Sequence, residues 1–305
     1  MTDNILLIEN LVKDFKKRKG TKRVLDNLSF FVRSGSIVGF VGPNGAGKTT
    51  TIKSVLDLIR PTSGQIHIFG KDNFQKEVKS KIGYMPEKDV FYEEMYPLEY
   101  LVYLGTLSGM DKEEAKEISL EWMKTMGIDT ALDTKIKNFS SGMKKKIFFI
   151  QAVLHDPSLI ILDEPTANLD PLAQEQLLFF MKSLAQRGST ILVSSHNIEE
   201  LEKIVDYVVV INRGKLILDS PLEKLREESN KGIEVNVNNS ALAAQILLNY
   251  RTQIIDKDTL IVDALPNEKN NILKLLIEYG LEIRSISTRK QSLWNIILEI
   301  LKENE

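Results

Sequence analysis

IVGFVGPNGAGKTTTIKSVLDLI, residues 37–59, is the stretch that decides the fold. It opens on an apolar run, Ile37 to Val41, with the length and composition of a buried strand. Next come Gly42, Pro43, Asn44, Gly45, Ala46, Gly47, Lys48, Thr49 and Thr50, in the Gly-x-x-x-x-Gly-Lys-Thr spacing of a phosphate-binding loop. Its glycines let the backbone curl so that N–H groups converge on phosphate oxygens, and the helix that follows adds its positive end. Lys48 is placed to reach terminal phosphates and the Thr49 hydroxyl to reach Mg2+. From Thr51 the period changes: Ile52, Val55, Leu56 and Ile59 recur at helical spacing, with Pro61 and Gly64 as the expected stop. Strand, glycine loop and helix follow one another as this chemistry requires.

Working outward, Ile5 to Leu11 and Val24 to Val32 read as strands before the loop. Between them Lys16 to Arg23, KKRKGTKR, is a basic cluster at a hairpin tip, either a solvated turn or a contact for anionic lipid headgroups. Beyond the loop, Pro97 to Met126 is helical, with a capping box from Asp111 to Glu114 and Gly127 as the stop. Strand Leu159 to Leu162, helix Leu172 to Gln186, strand Thr190 to Ser194 and helix Ile198 to Val205 then alternate, which implies a parallel sheet flanked by helices. Asn212, Arg213 and Gly214 turn a hairpin between Val208 to Ile211 and Lys215 to Leu218. From Gly232 onward the order strand, helix, strand, strand, helix, strand, helix predicts a small ferredoxin-like α+β domain, with Glu227 to Lys231 as linker.

Bulk properties narrow the function. With 305 residues, 43% of them hydrophobic, the chain can build one large and one smaller core. A net charge of -2 gives no basic surplus for phosphate backbones, so no nucleic-acid partner is expected. The absence of cysteine rules out disulfides and thiolate metal sites and suits a reducing, cytoplasmic setting. The start lacks the pattern of a signal peptide, and no apolar run approaches the roughly 20 residues of a membrane span.

LIILDEP ends a strand on two carboxylates, Asp163 and Glu164, at the edge of a parallel sheet where ligands bind. Alone, such a pair could also be a helix-capping acid, the lesser of the two readings. Beside a phosphate loop, Asp163 is placed to hold Mg2+ and Glu164 to orient the attacking water. With that pair in view, the chain resembles the nucleotide-binding cassette of ABC ATPases across Ile5 to Ser220. NFSSGMKKK is similar to that family's signature sequence, with Ser140 and Gly142 at its serine and second glycine; by local sequence alone Ser140 is also an ordinary helix N-cap. TANLDP carries Asp170 at the dimer-contact aspartate and VSSHN carries His196 at the γ-phosphate sensor. Phe15 stands at the aromatic that stacks on adenine, although core packing would use it as well.

The resemblance implies an α/β P-loop ATPase core with an antiparallel β-subdomain and a helical insert at about 97–155, within a nucleotide-binding domain of residues 1–229, and a small α+β domain over 230–305. It implies ATP and Mg2+ as ligands, with Glu164, His196 and Lys48 catalytic and Thr49, Glu87 and Asp163 around the metal. It further implies a head-to-tail pair with a second copy or a related cassette, in which Ser140 and Gly142 meet the nucleotide of the other chain. A separate membrane permease would dock near Glu87 to Tyr100, holding the protein on the inner face of the cell membrane. The C-terminal α+β part resembles extensions of drug and antimicrobial-peptide exporters more than the β-rich domains of sugar importers. A non-transport ATPase working on a ribosome or other soluble partner is the alternative. The chain departs from the family pattern at Glu87, where glutamine is usual, and at Phe139, Ser141 and Met143 of the signature.

Overall fold

The computed structural model describes residues 4–18, 20–88, 92–229, 232–288 and 292–303. Expectations that fall on Lys19 of the basic cluster, on residues 89–91 of the docking region and on residues 230–231 of the linker lie outside them. The chain divides into two compact units, Met1–Ser220 and Pro221–Glu305. The division falls ahead of the boundary expected after Ser229. Glu227 to Ser229, expected as linker, belong to helix Leu222–Ser229, which packs on helix Leu293–Glu303 of the second unit.

The centre of the first unit is a six-stranded sheet in the order Lys215–Pro221, Tyr207–Asn212, Ile37–Val41, Thr190–Ser195, Leu159–Asp163, Ile82–Met85. Its pairings from Tyr207–Asn212 across to Ile82–Met85 are all parallel. Every residue of Ile37–Val41, Leu159–Asp163 and Thr190–Ser195 is buried, as a parallel sheet covered on both faces demands. Because these strands run the same way, Gly42, Glu164, His196 and the Glu87 loop all leave from one edge. A second, antiparallel sheet in the order Thr21–Arg33, Asn4–Lys16, Ser63–Ile68, Lys71–Asp72 stands beside it. Leu6, Ile8, Leu25, Leu28, Phe40, Ile52 and Ile161 form one apolar cluster joining both sheets and the helix after the phosphate loop.

Several elements differ from their sequence expectation. The helix expected over Thr51 to Ile59 is Lys48–Val55: it starts inside the loop and stops before Asp57, whose φ of 56° breaks the helical path. The helical stretch from Pro97 is two helices, Pro97–Leu107 and Lys112–Thr125, parted by Gly109 at φ 96°. Asp111 caps the second by accepting from Glu113 N and Glu114 N, and the backbone reverses at Gly127 as expected. Ile198–Leu201 is a single short turn, not a helix to Val205. Strands Ser63–Ile68 and Ile82–Met85 carry no clear alternation and were not expected.

The second unit has an antiparallel sheet in the order Arg251–Ile254, Thr259–Asp263, Ile233–Val237, Ile283–Thr288. With helices Ser240–Ile246 and Lys269–Glu278 this is the βαββαβ arrangement of a ferredoxin-like unit. Its own core gathers Ile233, Val235, Leu260, Val262, Ile272 and Leu276.

Candidate functional site

The phosphate loop is held from within and from behind. Gly47 caps helix Lys48–Val55 at φ 115°, and a Cβ there would lie 2.8 Å from Leu25 Cδ2. Glycine is therefore needed for both backbone angle and space. Lys48 is buried, and its Nζ donates to Gly42 O at 2.6 Å. The hairpin turn expected at Asn212 to Gly214 supports the loop from outside. Gly214 N donates to Ala46 O at 2.8 Å while Asp26 N donates to Gly214 O at 2.9 Å. Arg213 at φ 48° and Gly214 at φ 79° give that turn the twist a two-residue hairpin needs.

Pro43, Asn44, Gly45, Gly47, Lys48, Thr49, Thr50, Glu87, Glu164 and His196 line one cavity of about 590 Å³. Gly42 and Ala46 lie behind the lining, bound to Lys48 and Gly214 respectively. Val24 and Ala167, not singled out from sequence, also line the cavity, as does Lys22 of the basic cluster, for which a solvated turn or a lipid contact was expected.

Glu164 is the hub of the site. Its Oε1 lies 3.2 Å from Lys48 Nζ and its Oε2 lies 3.0 Å from His196 Nδ1. An ionised carboxylate only accepts, so this contact places the His196 proton on Nδ1. The Glu164 backbone adopts φ 50°, which turns the side chain toward the loop, and Glu164 N donates to Ser194 Oγ at 2.9 Å. The same Ser194 hydroxyl donates to Asp163 Oδ1 at 2.7 Å. Asp163 and Ser194 are register partners on adjacent parallel strands, so a serine at that height was the signal sequence reading passed over.

Asp163 is fully buried, and among the described residues its Oδ2 has no hydrogen-bond partner. Burial pushes its carboxyl above the ordinary range. The Ser194 and Thr49 hydroxyls oppose that shift, and the Glu87 and Glu164 carboxylates add to it. An orphaned carboxylate oxygen in an acidic surround is a group a cation would satisfy.

The remaining expected residues stand apart from this cavity. Phe15 is not in the core: it is exposed, with Lys13 Nζ 5.0 Å from its ring centroid. It pairs across the ladder with Lys22, so both side chains emerge on the same face beside the cavity. Ser140 caps helix Ser141–Val153, its Oγ accepting from Met143 N at 3.2 Å. Asp170 caps helix Pro171–Gln186, accepting from Ala173 N at 2.9 Å. A Cβ at Gly142 would meet nothing nearer than 3.9 Å. In the docking region, a separate cavity of about 720 Å³ lies on the helical insert, lined by Tyr96, Leu98, Val102, Tyr103, Lys112 and Leu132 among others. Its lining comes mainly from helices Pro97–Leu107 and Lys112–Thr125.

Residues 25–167 match the family model for ABC transporters. The chain is 34% identical over 296 residues to the bacitracin transport ATP-binding protein of Bacillus licheniformis, covering 94% of this chain and 95% of that protein. It is 34% identical over 209 residues to a linearmycin resistance ATP-binding protein of Bacillus subtilis strain 168, covering 67% of each. A solved ATP-binding subunit of an ABC transporter matches with a TM-score of 0.66 at 30% identity, over 73% of this chain and 92% of that one. A dimeric cassette in a post-hydrolysis state with ADP and Pi shares the fold, with a TM-score of 0.66 at 23% identity over 71% of this chain and 98% of that one.

Proposed function

The chain belongs to the ABC transporter family, and from that premise we propose that it binds ATP with Mg2+, hydrolyses it as a head-to-tail pair, and drives a separate membrane permease that exports drugs, peptides or other amphipathic compounds. The observation that carries this reading is the Lys48–Glu164–His196 constellation in the cavity above the phosphate loop.

Lys48 binds the terminal phosphates of ATP. An arriving phosphate competes with Glu164 for the ammonium, and the released carboxylate is free to orient the attacking water and draw its proton. His196, held by Glu164 Oε2, keeps that carboxylate aimed across the cavity. The buried, unpaired Asp163 Oδ2, the Thr49 hydroxyl and Glu87 would hold Mg2+, which when bound neutralises charge on the transferred phosphoryl group. Gly45, Asn44 and Thr50 wrap the phosphates, while Phe15 offers a ring to adenine beside Lys22 and Val24.

Ser140 and Gly142 bear on pairing. Gly142 is not needed for packing within this chain, since its surroundings leave room for a methyl group. A glycine that its own fold does not need suits a surface approached closely by another molecule. Asp170 lies at the start of the next helix on the same unit.

Among the described residues no helix is long and apolar enough to cross a membrane, so transport requires a partner that spans it. The insert cavity with its exposed Tyr96 and Tyr103 is where that permease docks. Export is favoured because the likeness to the bacitracin transport protein runs through the second unit as well as the first.

The test is phosphate release against protein concentration for wild type and Glu164→Gln with MgATP in excess. Specific activity rising with concentration, and falling on the order of 10²–10⁴-fold in the variant, supports the reading. Co-purification of the chain with RNA or ribosomes in place of a membrane protein would overturn the transport role.

A further inference from the structure

One buried cation lies outside the chemistry described so far. Lys145, on helix Ser141–Val153, is 5% exposed, and its Nζ donates to the backbone oxygen of Glu87 at 3.2 Å. An ammonium out of water is tolerated only where oxygen acceptors replace its hydration, so the contact fixes the two elements to each other. Next to it, Lys146 Nζ donates to Met126 O at 2.7 Å, just past the end of helix Lys112–Thr125. The helix is thus tied on one side to the wall of the nucleotide cavity and on the other to the end of helix Lys112–Thr125. Glu87 lines that cavity, while Ser140 and Gly142 lie at the N-terminus of Lys145's own helix. Along a helix, three to five residues are about 5–8 Å.

We infer that Lys145 is a positioning residue that carries occupancy of the nucleotide cavity, through the Glu87 backbone, to the phosphate-facing turn Ser140–Gly142. Charge added beside Glu87 by a metal–nucleotide complex shifts that loop, and the Lys145 contact passes the shift to the helix start. The use made of that turn rests on the head-to-tail reading, whereas the link itself does not.

Amide hydrogen exchange on the full chain tests this, at concentrations where it is monomeric, with and without MgATP, for wild type, Lys145→Met and Lys145→Arg. In wild type MgATP slows exchange both over residues 42–50 and over residues 140–146. Lys145→Met keeps the first protection, which also shows that the variant is folded and binds ATP. It loses the second by about fivefold or more, the lower end of ordinary coupling between sites. Lys145→Arg, with a donor retained, restores it. Equal protection of residues 140–146 in Lys145→Met, or none in wild type, overturns the inference. Sedimentation of Glu164→Gln with MgATP runs alongside. If it stays monomeric at every concentration the head-to-tail reading fails, while the exchange result still decides the role of Lys145.

Discussion

Helix Lys48–Val55 and helix Ser141–Val153 each offer an N-terminus suited to phosphate, yet one is closed by its own chain and the other is open. At the first, Gly47 is forced by angle and by the nearness of Leu25, Lys48 folds back onto Gly42, and Gly214 holds Ala46 from behind. At the second, Ser140 makes a single capping bond, and a Cβ at Gly142 would meet only ordinary van der Waals neighbours, at 3.9 Å and beyond. The difference teaches where each ligand comes from. The closed start gathers loop N–H groups and the Lys48 ammonium from its own chain; the open start offers the helix dipole and the Ser140 cap, and on the proposed head-to-tail reading it is completed by nucleotide held on a second chain.

The largest effect that would sharpen this contrast is expected at the open start. Ser140→Arg places a long cation over a turn that has no internal role beyond capping, at a cost in stability of about 1 kcal/mol. ATP affinity of the separate chain stays at the wild-type value in an equilibrium titration. The rise of specific activity with protein concentration disappears. Cooperative turnover surviving this substitution would sink the idea that the open turn is completed by a second chain.

A smaller effect compares the two glycines directly. Gly47→Ala must hold a side chain in a left-handed conformation, costing about 1–2 kcal/mol, and must displace Leu25 Cδ2 at 2.8 Å. That strain is carried by the folded chain with or without nucleotide, so thermal unfolding should show a lower Tm. Gly142→Ala should unfold within about 0.5 kcal/mol of wild type, the range of a surface change. If the two variants are destabilised equally, the distinction between closed and open starts is wrong.

The two regions also differ in how much of them was legible. The loop could be read because glycine spacing and the Lys48–Thr49 pair encode their geometry locally, within a few residues of chain. What surrounds it could not: Gly214, Ser194, Lys22 and Val24 come from distant segments, brought in by sheet order and register. Ser63–Ile68 and Ile82–Met85 escaped notice because a strand that opens on exposed Ser63, Gly64 and Gln65 and a short strand holding Gly83 lack the alternation that reveals strands. Gly83 has a reason only the fold supplies, since a Cβ there would lie 1.8 Å from Ala152 O. In the second unit the alternation of strands and helices gave the ferredoxin-like order. Its boundary did not follow from composition, because the polar residues Glu227 to Ser229, expected as linker, close helix Leu222–Ser229, which buries Leu222 and Leu225.

The smallest effect concerns a cost carried only by the closed site. Asp163 is buried with Oδ2 unpaired, and its carboxyl is held above the ordinary range chiefly by that burial. In the unfolded chain the same group ionises at its ordinary value. Between the two values the unfolded state has released a proton that the folded state still binds, so stability falls as pH rises through that window and is unaffected below it. Asp163→Asn removes the titration. The stability of the nucleotide-free wild type minus that of the variant should therefore decline from mildly acidic conditions toward neutrality, by urea unfolding at a series of pH values. MgATP should reverse the decline for wild type and not for the variant, because a cation beside Oδ2 favours the ionised form. A difference that stays flat with pH would mean that burial does not hold the Asp163 proton in the nucleotide-free chain, leaving the phosphate loop and not the buried carboxylate as the feature that sets the closed site apart from the open one.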